Sequence, residues 1–358
     1  MKLSSKNIFG TRLKLARKMA GLSLQELADA LNNKVTKQSL NKYELGEMNP
    51  SSNVLMIISN TLNIKPDYFF KKNTIELGEI LFRKKASLSK KKESSIVEKV
   101  RDYVERYLEI EHIVGVETKF INPLQSLIIQ TKEDVKKTAE ELRNAWNLGN
   151  SPLLNIIELL ELKGIKVLLI DSLDDFDGLA AFTSIGVPVV VVNIRNKSVE
   201  RIRFTIIHEL AHLLIRIDNE VLIDTKICEI YCHLFASCFL LPEEILIKLI
   251  GSEKRNYIYI DELISIKEFY GISIRAIVHR LKELEIITDN YYRRWMIYLS
   301  KTFGSQKEPG KYKGEEKPKN FNQLINRALA EELISLSKAA TLWNVDISKL
   351  RKKFNADK

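Results

Sequence analysis

Two histidines four residues apart, with an acid beside the first, form the run His208-Glu209-Leu210-Ala211-His212 in this 358-residue chain. On a helix, positions i and i+4 lie on one face a turn apart, so both imidazoles can reach the same ion. Zinc accepts such nitrogen ligands, and a catalytic zinc takes three protein ligands and leaves one position for water. Glu209 sits beside the first ligand, where its carboxylate could take a proton from that water. The pattern is short, and surface histidines can match it by chance. Here the chain holds only five histidines, and two fall at ligand spacing with an acid between them. Thr205, Ile206, Ile207, Leu210, Leu213 and Leu214 make the rest of the helix largely apolar, as a buried active-site helix requires.

A third ligand is expected from another helix just downstream. The run CEIYCHLFASCFLLP offers Glu229, 17 residues past His212, in an apolar helix ended by Pro242. A carboxylate on a buried face is costly without a partner, and a metal would be one. His233, four residues on, is a rival ligand or a neighbour that orients one; a core histidine bonded to backbone is the plainer reading. Asp218, Glu220 and Asp224 lie between the helices and read as solvated. Cys228, Cys232 and Cys238 contain no C-x-x-C pair and read as small buried apolar residues.

The other chemistry lies at the N-terminus. The chain carries a net charge of +10, and residues 1–72 hold twelve basic and five acidic side chains. That asymmetry favours a polyanionic partner. In SLQELADALNNKVTKQSLNKYELGEMNPSS, Leu24, Leu27, Ala28 and Leu31 form the buried face of one helix. Thr36 caps the next, on which Leu40 and Tyr43 face inward while Lys37, Gln38, Ser39, Asn41 and Lys42 face out. Gly46 stops it. A helix presenting short polar and basic side chains is suited to the major groove, with Gln25, Arg17 and Lys18 as further contacts to the duplex. A helical bundle with a solvated basic face is the alternative.

The elements that must position these groups follow from periodicity. Residues 8–70 read as five short helices, 94–112 as a helix, and 132–146 as another ended by Gly149. SPLLNIIELLELKG reads as a helix capped at Ser151 with Pro152 in its first turn. The runs 165–171, 178–184 and 187–193 are β-rich and predict a small sheet. The stretch 304–320, GSQKEPGKYKGEEKPKN, has almost nothing to bury and reads as a linker before a last helical pair. The divisions expected are 1–72 (DNA-binding), 73–130 (helical linker region), 131–300 (metal domain), 301–320 (flexible linker) and 321–358 (C-terminal helices). No run reaches transmembrane length and the N-terminus lacks a signal peptide's apolar core, so a cytoplasmic protein without membrane contact is expected.

Residues 10–70 resemble the Cro/repressor-type (Xre) helix-turn-helix family. The match lies in Gln25 and Glu26, the Tyr43-Glu44-x-Gly46 helix end and the later Pro50-Ser51, with a turn about two residues longer than the family minimum. That resemblance implies a homodimer reading a palindromic operator in double-stranded DNA. Residues 138–290 resemble the ImmA/IrrE metallopeptidases through AEELRNAWNLG, DGLAAF, VERIRFTIIHELAHLLI, Glu229, Phe235-Ala236 and Leu240-Leu241-Pro242. It implies His208, His212 and Glu229 as ligands of one zinc ion per chain, Glu209 as the catalytic acid/base, and a sheet edge that can hold an extended peptide. His233 stands where the family often has Asn, and Ala211 replaces a frequent Gly. The fold class expected is multidomain: an all-α helix-turn-helix domain, an α+β zincin-like metallopeptidase domain and a small C-terminal helical segment. The function expected is a DNA-binding transcriptional regulator with a zinc endopeptidase that cleaves itself or a partner helix-turn-helix repressor. The alternatives are a non-catalytic regulator and an antitoxin-like partner of a neighbouring toxin. LFRKKASLSKKK, exposed between the domains, is the candidate for self-cleavage.

Overall fold

The computed structural model describes residues 7–71, 81–82, 89–116, 118–172, 176–218, 221, 225–304, 307–348 and 350–351. The N-terminal bundle comprises α1 (Ile8–Met19), α2 (Leu24–Ala30), α3 (Lys37–Leu45), α4 (Ser52–Leu62) and a 3₁₀ turn over Pro66–Phe70. Local chemistry sets its boundaries. Ser23 and Glu26 close a capping box on α2, and Thr36 and Ser51 cap α3 and α4 with their hydroxyls. Gly46 ends α3 in the left-handed conformation. Asn32 and Asn33 take positive φ in the longer turn between α2 and α3, a conformation Asn tolerates better than most side chains.

Next comes α5 (Lys90–Val114), which begins at the Ser89 cap four residues earlier than periodicity alone suggested. The larger unit adds α6 (Lys132–Ala145), α7 (Ile156–Leu162) and a sheet of β1 (Leu81–Phe82), β2 (Lys166–Ile170), β3 (Gly178–Phe182) and β4 (Pro188–Asn193). The strand order is β1-β3-β4-β2; β4 runs parallel to β2 and antiparallel to β3, and β1 pairs antiparallel with β3. Then come α8 (Val199–Leu214), α9 (Thr225–Leu240), α10 (Glu243–Ile250), α11 (Ile260–Tyr270), α12 (Ile274–Glu283), α13 (Asp289–Phe303), α14 (Asn320–Ala330) and α15 (Leu336–Leu342).

The unbroken PVVVVN of β4 is buried on both faces. Val190 and Val192 join the core with Ile206, Leu210 and Phe235 of α8 and α9, whereas Val189 and Val191 join Tyr103, Tyr107 and Ile325 of α5 and α14. Hence the expected helical linker and C-terminal appendage form the layer that covers the sheet's second face.

Two local expectations are corrected. Asn155, and not Ser151, caps α7, and Glu316 accepts from the backbone N–H groups of Ile156 and Ile157. The 304–320 stretch is not a loose linker over its described part. Glu316 pairs with buried Arg203 of α8, and Glu308 accepts from the first N–H groups of α12 and pairs with Lys267. Tyr312 is 4% exposed and donates its hydroxyl to the carbonyls of Leu153 and Leu154. The anchors are charged and aromatic side chains, which a search for apolar periodicity passes over.

Candidate metal centre and nucleic-acid interface

The apolar face of α8 packs under the sheet and carries His208 and Glu209 fully into the interior, with His212 at its rim. Helix α9 lies against α8 and brings in Glu229. The Nε2 atoms of His208 and His212 are 3.1 Å apart, and the two oxygens of Glu229 lie 3.5 Å from the first and 3.3 Å from the second. Ligands at zinc–nitrogen and zinc–oxygen distances of about 2.0–2.1 Å on a tetrahedron stand roughly 3.3–3.4 Å apart. Each imidazole nitrogen thus has the other, and one oxygen of Glu229, at about the spacing of adjacent tetrahedral ligands, and the two-histidine, one-carboxylate donor set fits a zinc ion.

Glu209 meets β3. A Cβ on Gly178 would sit 2.8 Å from Cγ and Oε1 of Glu209 and 2.9 Å from Cγ2 of Thr205, so only glycine lets the strand approach this closely. Just before it, Asp177 is held by Lys197 and Arg201, each at 2.9 Å. Burial works against its charge, but the two cations outweigh that and bring its pKa down to about 2. The start of the strand beside Glu209 is thereby pinned.

His233 is not among the converging donors: it is exposed, stacks on Phe204, and its ring centre is 4.5 Å from that of His208. Asp218 accepts from Gln130, outside the cluster, while Glu220 and Asp224 lie outside the described residues. Cys228 and Cys232 are side chains beside the cluster that sequence reasoning passed over. Cys232 Sγ lies 3.5 Å and Cys228 Sγ 4.0 Å from Nδ1 of His212. Their spacing of four around Glu229, on the same helix as the third donor, was the available signal. Burial opposes a charged His212, but its contacts to Cys228 and Glu229 win and raise its pKa to about 9. The contact from Cys232, then that from His212, lowers the pKa of the Cys228 thiol below its ordinary value.

On the N-terminal bundle, α3 exposes Lys37, Gln38, Asn41 and Lys42 on one face, while Leu40 and Tyr43 anchor the other. Thr36 Oγ1 accepts from the Ser39 N–H and lies 3.0 Å from the Ser39 hydroxyl, so both side chains also serve the cap. Gln25 is exposed at the start of α2 and donates to Asp29. Arg17 departs from expectation. Its guanidinium makes a two-point ion pair with Glu44 at 2.6 and 2.9 Å and donates to the Leu22 carbonyl, which ties α1 to the end of α3. Lys18 is half-buried beside it.

Two family models match the chain: helix-turn-helix over residues 13–69 and the IrrE N-terminal-like domain over residues 160–282. The SPbeta prophage-derived HTH-type transcriptional regulator YonR of Bacillus subtilis (strain 168) is 38% identical over 76 residues, 21% of this chain and 68% of its own length. The HTH-type transcriptional regulator YqaE of the same organism is 38% identical over 64 residues, 18% of this chain and 53% of its own. With a reading helix at one end and the His208–His212 helix inside the second matched region, the chain belongs to the helix-turn-helix regulators, in a form joined to an IrrE/ImmA-like domain.

Proposed function

We propose that this DNA-binding regulator is also a zinc-dependent endopeptidase whose substrate is a protein, either this chain itself or a partner helix-turn-helix repressor. The observation that carries the reading is the convergence of His208, His212 and Glu229 at tetrahedral spacing with Glu209 buried alongside. A bound zinc ion would act as a Lewis acid toward the scissile carbonyl and the attacking water. Glu209 takes the proton from that water and returns it to the departing amine. Gly178 keeps the carboxylate in reach by leaving no side chain between strand and helix.

The edge of β3 holds a substrate as an added strand. One such strand belongs to the chain: Leu81 pairs with Ala180 and Phe82 with Leu179, the neighbour of Gly178. This favours the stretch beginning at Leu81 as a substrate in cis; residues 83–88 of it lie outside the described residues. Cleavage there separates the basic N-terminal bundle from the rest of the chain. A homodimer reading two half-sites would then lose occupancy of its operator. The reading assigns the protein to the cytoplasm; among the described residues no single helix is long and apolar enough to cross a membrane.

The test is incubation of the wild type and Glu209→Gln with zinc, alone and with candidate repressors, followed by mass spectrometry. Zinc-dependent fragments from the wild type and none from the variant are expected. Equal fragments from both, or none from either with any candidate, would remove the peptidase assignment.

A further inference from the structure

One imidazole faces two ligand sets. Nε2 of His212 meets His208 and Glu229, while Nδ1 faces the sulfurs of Cys232 at 3.5 Å and Cys228 at 4.0 Å. We propose that His212 Nδ1, Cys228 and Cys232 form a second cation site, for a soft or borderline metal ion, that fills only at the expense of the first. On a tetrahedron with metal–nitrogen near 2.0 Å and metal–sulfur near 2.3 Å, a nitrogen and a sulfur stand roughly 3.5 Å apart. Cys232 at 3.5 Å stands at that value and Cys228 at 4.0 Å somewhat beyond it, and all three donor atoms lie within 4.8 Å of one another.

Ligand chemistry sets the selectivity. Paired thiolates favour soft ions such as Cd²⁺ or Cu⁺, whereas the His₂Glu set on the other side suits zinc. Binding a divalent ion releases one proton from each thiol to solvent, and two thiolates balance its charge in this largely buried place. Cys232 is buried and Cys228 partly exposed, which leaves an approach from the rim. Exclusivity follows from the imidazole itself. A neutral ring has one nitrogen lone pair and one N–H, so coordination through Nδ1 leaves the proton on Nε2, which then cannot ligate the first ion. A soft metal ion would thus disarm the peptidase site by taking one shared ligand. A thiol that merely oriented His212 would need one sulfur at hydrogen-bond distance, and here two converge.

Exclusivity rests on reading His208, His212 and Glu229 as the first metal site; the thiolate site does not. The experiment is a Cd²⁺ titration of the zinc-loaded full-length protein. Ultraviolet thiolate-to-cadmium absorbance reports sulfur ligation, and a colorimetric chelator reports released zinc. The expected result is absorbance saturating at about one cadmium per chain with about one zinc released. Cys228→Ser and Cys232→Ser should lose the absorbance while keeping zinc, and Cys238→Ser should behave as wild type. Unchanged absorbance in either of the first two variants overturns the site, and full absorbance with zinc retained overturns exclusivity. Glu229→Ala separates the two readings: absorbance in a zinc-free variant supports the thiolate site by itself. Zinc retained by Glu229→Ala, with the absorbance intact, fails the first-site reading and leaves the second standing.

Discussion

Glu229 and His233 sit one helical turn apart on α9, yet only Glu229 turns its oxygens to both Nε2 atoms of the α8 histidines. Metal analysis of purified variants should therefore divide them. Glu229→Ala is expected to lose most of its metal and His233→Ala to retain it, while Glu209→Gln keeps metal because Glu209 is not one of the three donors. Loss of a positioned general base should lower turnover by about 10²–10⁴-fold. Metal loss in His233→Ala with retention in Glu229→Ala would move the third ligand. Sequence spacing singled out the histidine pair and both α9 candidates. It preferred Glu229 and kept His233 as the rival, because spacing alone does not give the rotation of α9 against α8. The thiols were passed over for a related reason: three cysteines without a paired motif look like core, and the helix crossing turns two of them toward His212.

At the scale of elements, buried charge holds the layers together. Glu161 of α7 is fully buried, accepts from the Asn320 N–H and faces Lys166 and Tyr107. Burial, only partly offset by these partners, raises its pKa to about 7, above the unfolded value near 4.5. A raised native pKa means that the folded state binds the proton more tightly. Its stabilising contribution is therefore complete below about pH 4.5 and lost as the pH climbs to about 7. Gln at position 161 keeps the neutral shape at every pH. Glu161→Gln should gain stability over wild type by about 2–3 kcal/mol between pH 5 and pH 8, measured by urea unfolding at both. A difference independent of pH would show that Glu161 does not titrate there. The 304–320 stretch, which acts as a strap across α7, α8 and α12, contributes similarly: Glu316→Ala leaves Arg203 buried without its carboxylate and strips the acceptor from the start of α7. A loss of about 3–5 kcal/mol is expected in the same assay, and a loss below ~1 kcal/mol would count against the strap as an anchor.

Across the whole molecule, α5 connects the two matched regions. Arg12 of α1 pairs with Glu105 at 2.7 Å, and Glu109 pairs with Lys71 from the N-terminal unit and with Lys338 of α15. The same helix lies on the sheet, where the Tyr103 hydroxyl donates to the Val167 carbonyl. Helix α3 is thus carried on a body continuous with the sheet beside the candidate metal centre. Gel-shift titrations of the full chain should show a steep salt dependence, with Lys37→Ala and Lys42→Ala each reducing the log–log slope by about 0.9. Gln38→Ala or Asn41→Ala should relax sequence preference instead. Arg17→Ala should act differently from the lysines, lowering thermal stability through the lost Glu44 pair and leaving the salt slope nearly unchanged. A slope that falls as much for Arg17→Ala as for Lys42→Ala would return Arg17 to the phosphate contacts.

The sequence by itself determined what rests on local chemistry. The Thr36 cap, the Ser51 helix start, the Gly46 stop, the i, i+4 spacing of His208 and His212 and the unbroken valines of β4 each act within a few residues, so the helix-turn-helix end and the helices and three strands of the larger region could be read directly. Tertiary structure decided whatever depends on distant partners. The 304–320 run looked empty because its anchors, Glu308, Tyr312 and Glu316, gain a role only where Lys267, Arg203 and the ends of α7 and α12 wait for them. Arg17, expected at the duplex, also has a partner that its own neighbourhood did not announce: Glu44, 27 residues away. The pairing of Leu81–Phe82 with β3, the closeness of Gly178 to Glu209 and the two-sided environment of His212 are likewise set by packing, because each needs elements far apart in the chain to meet within a few ångströms.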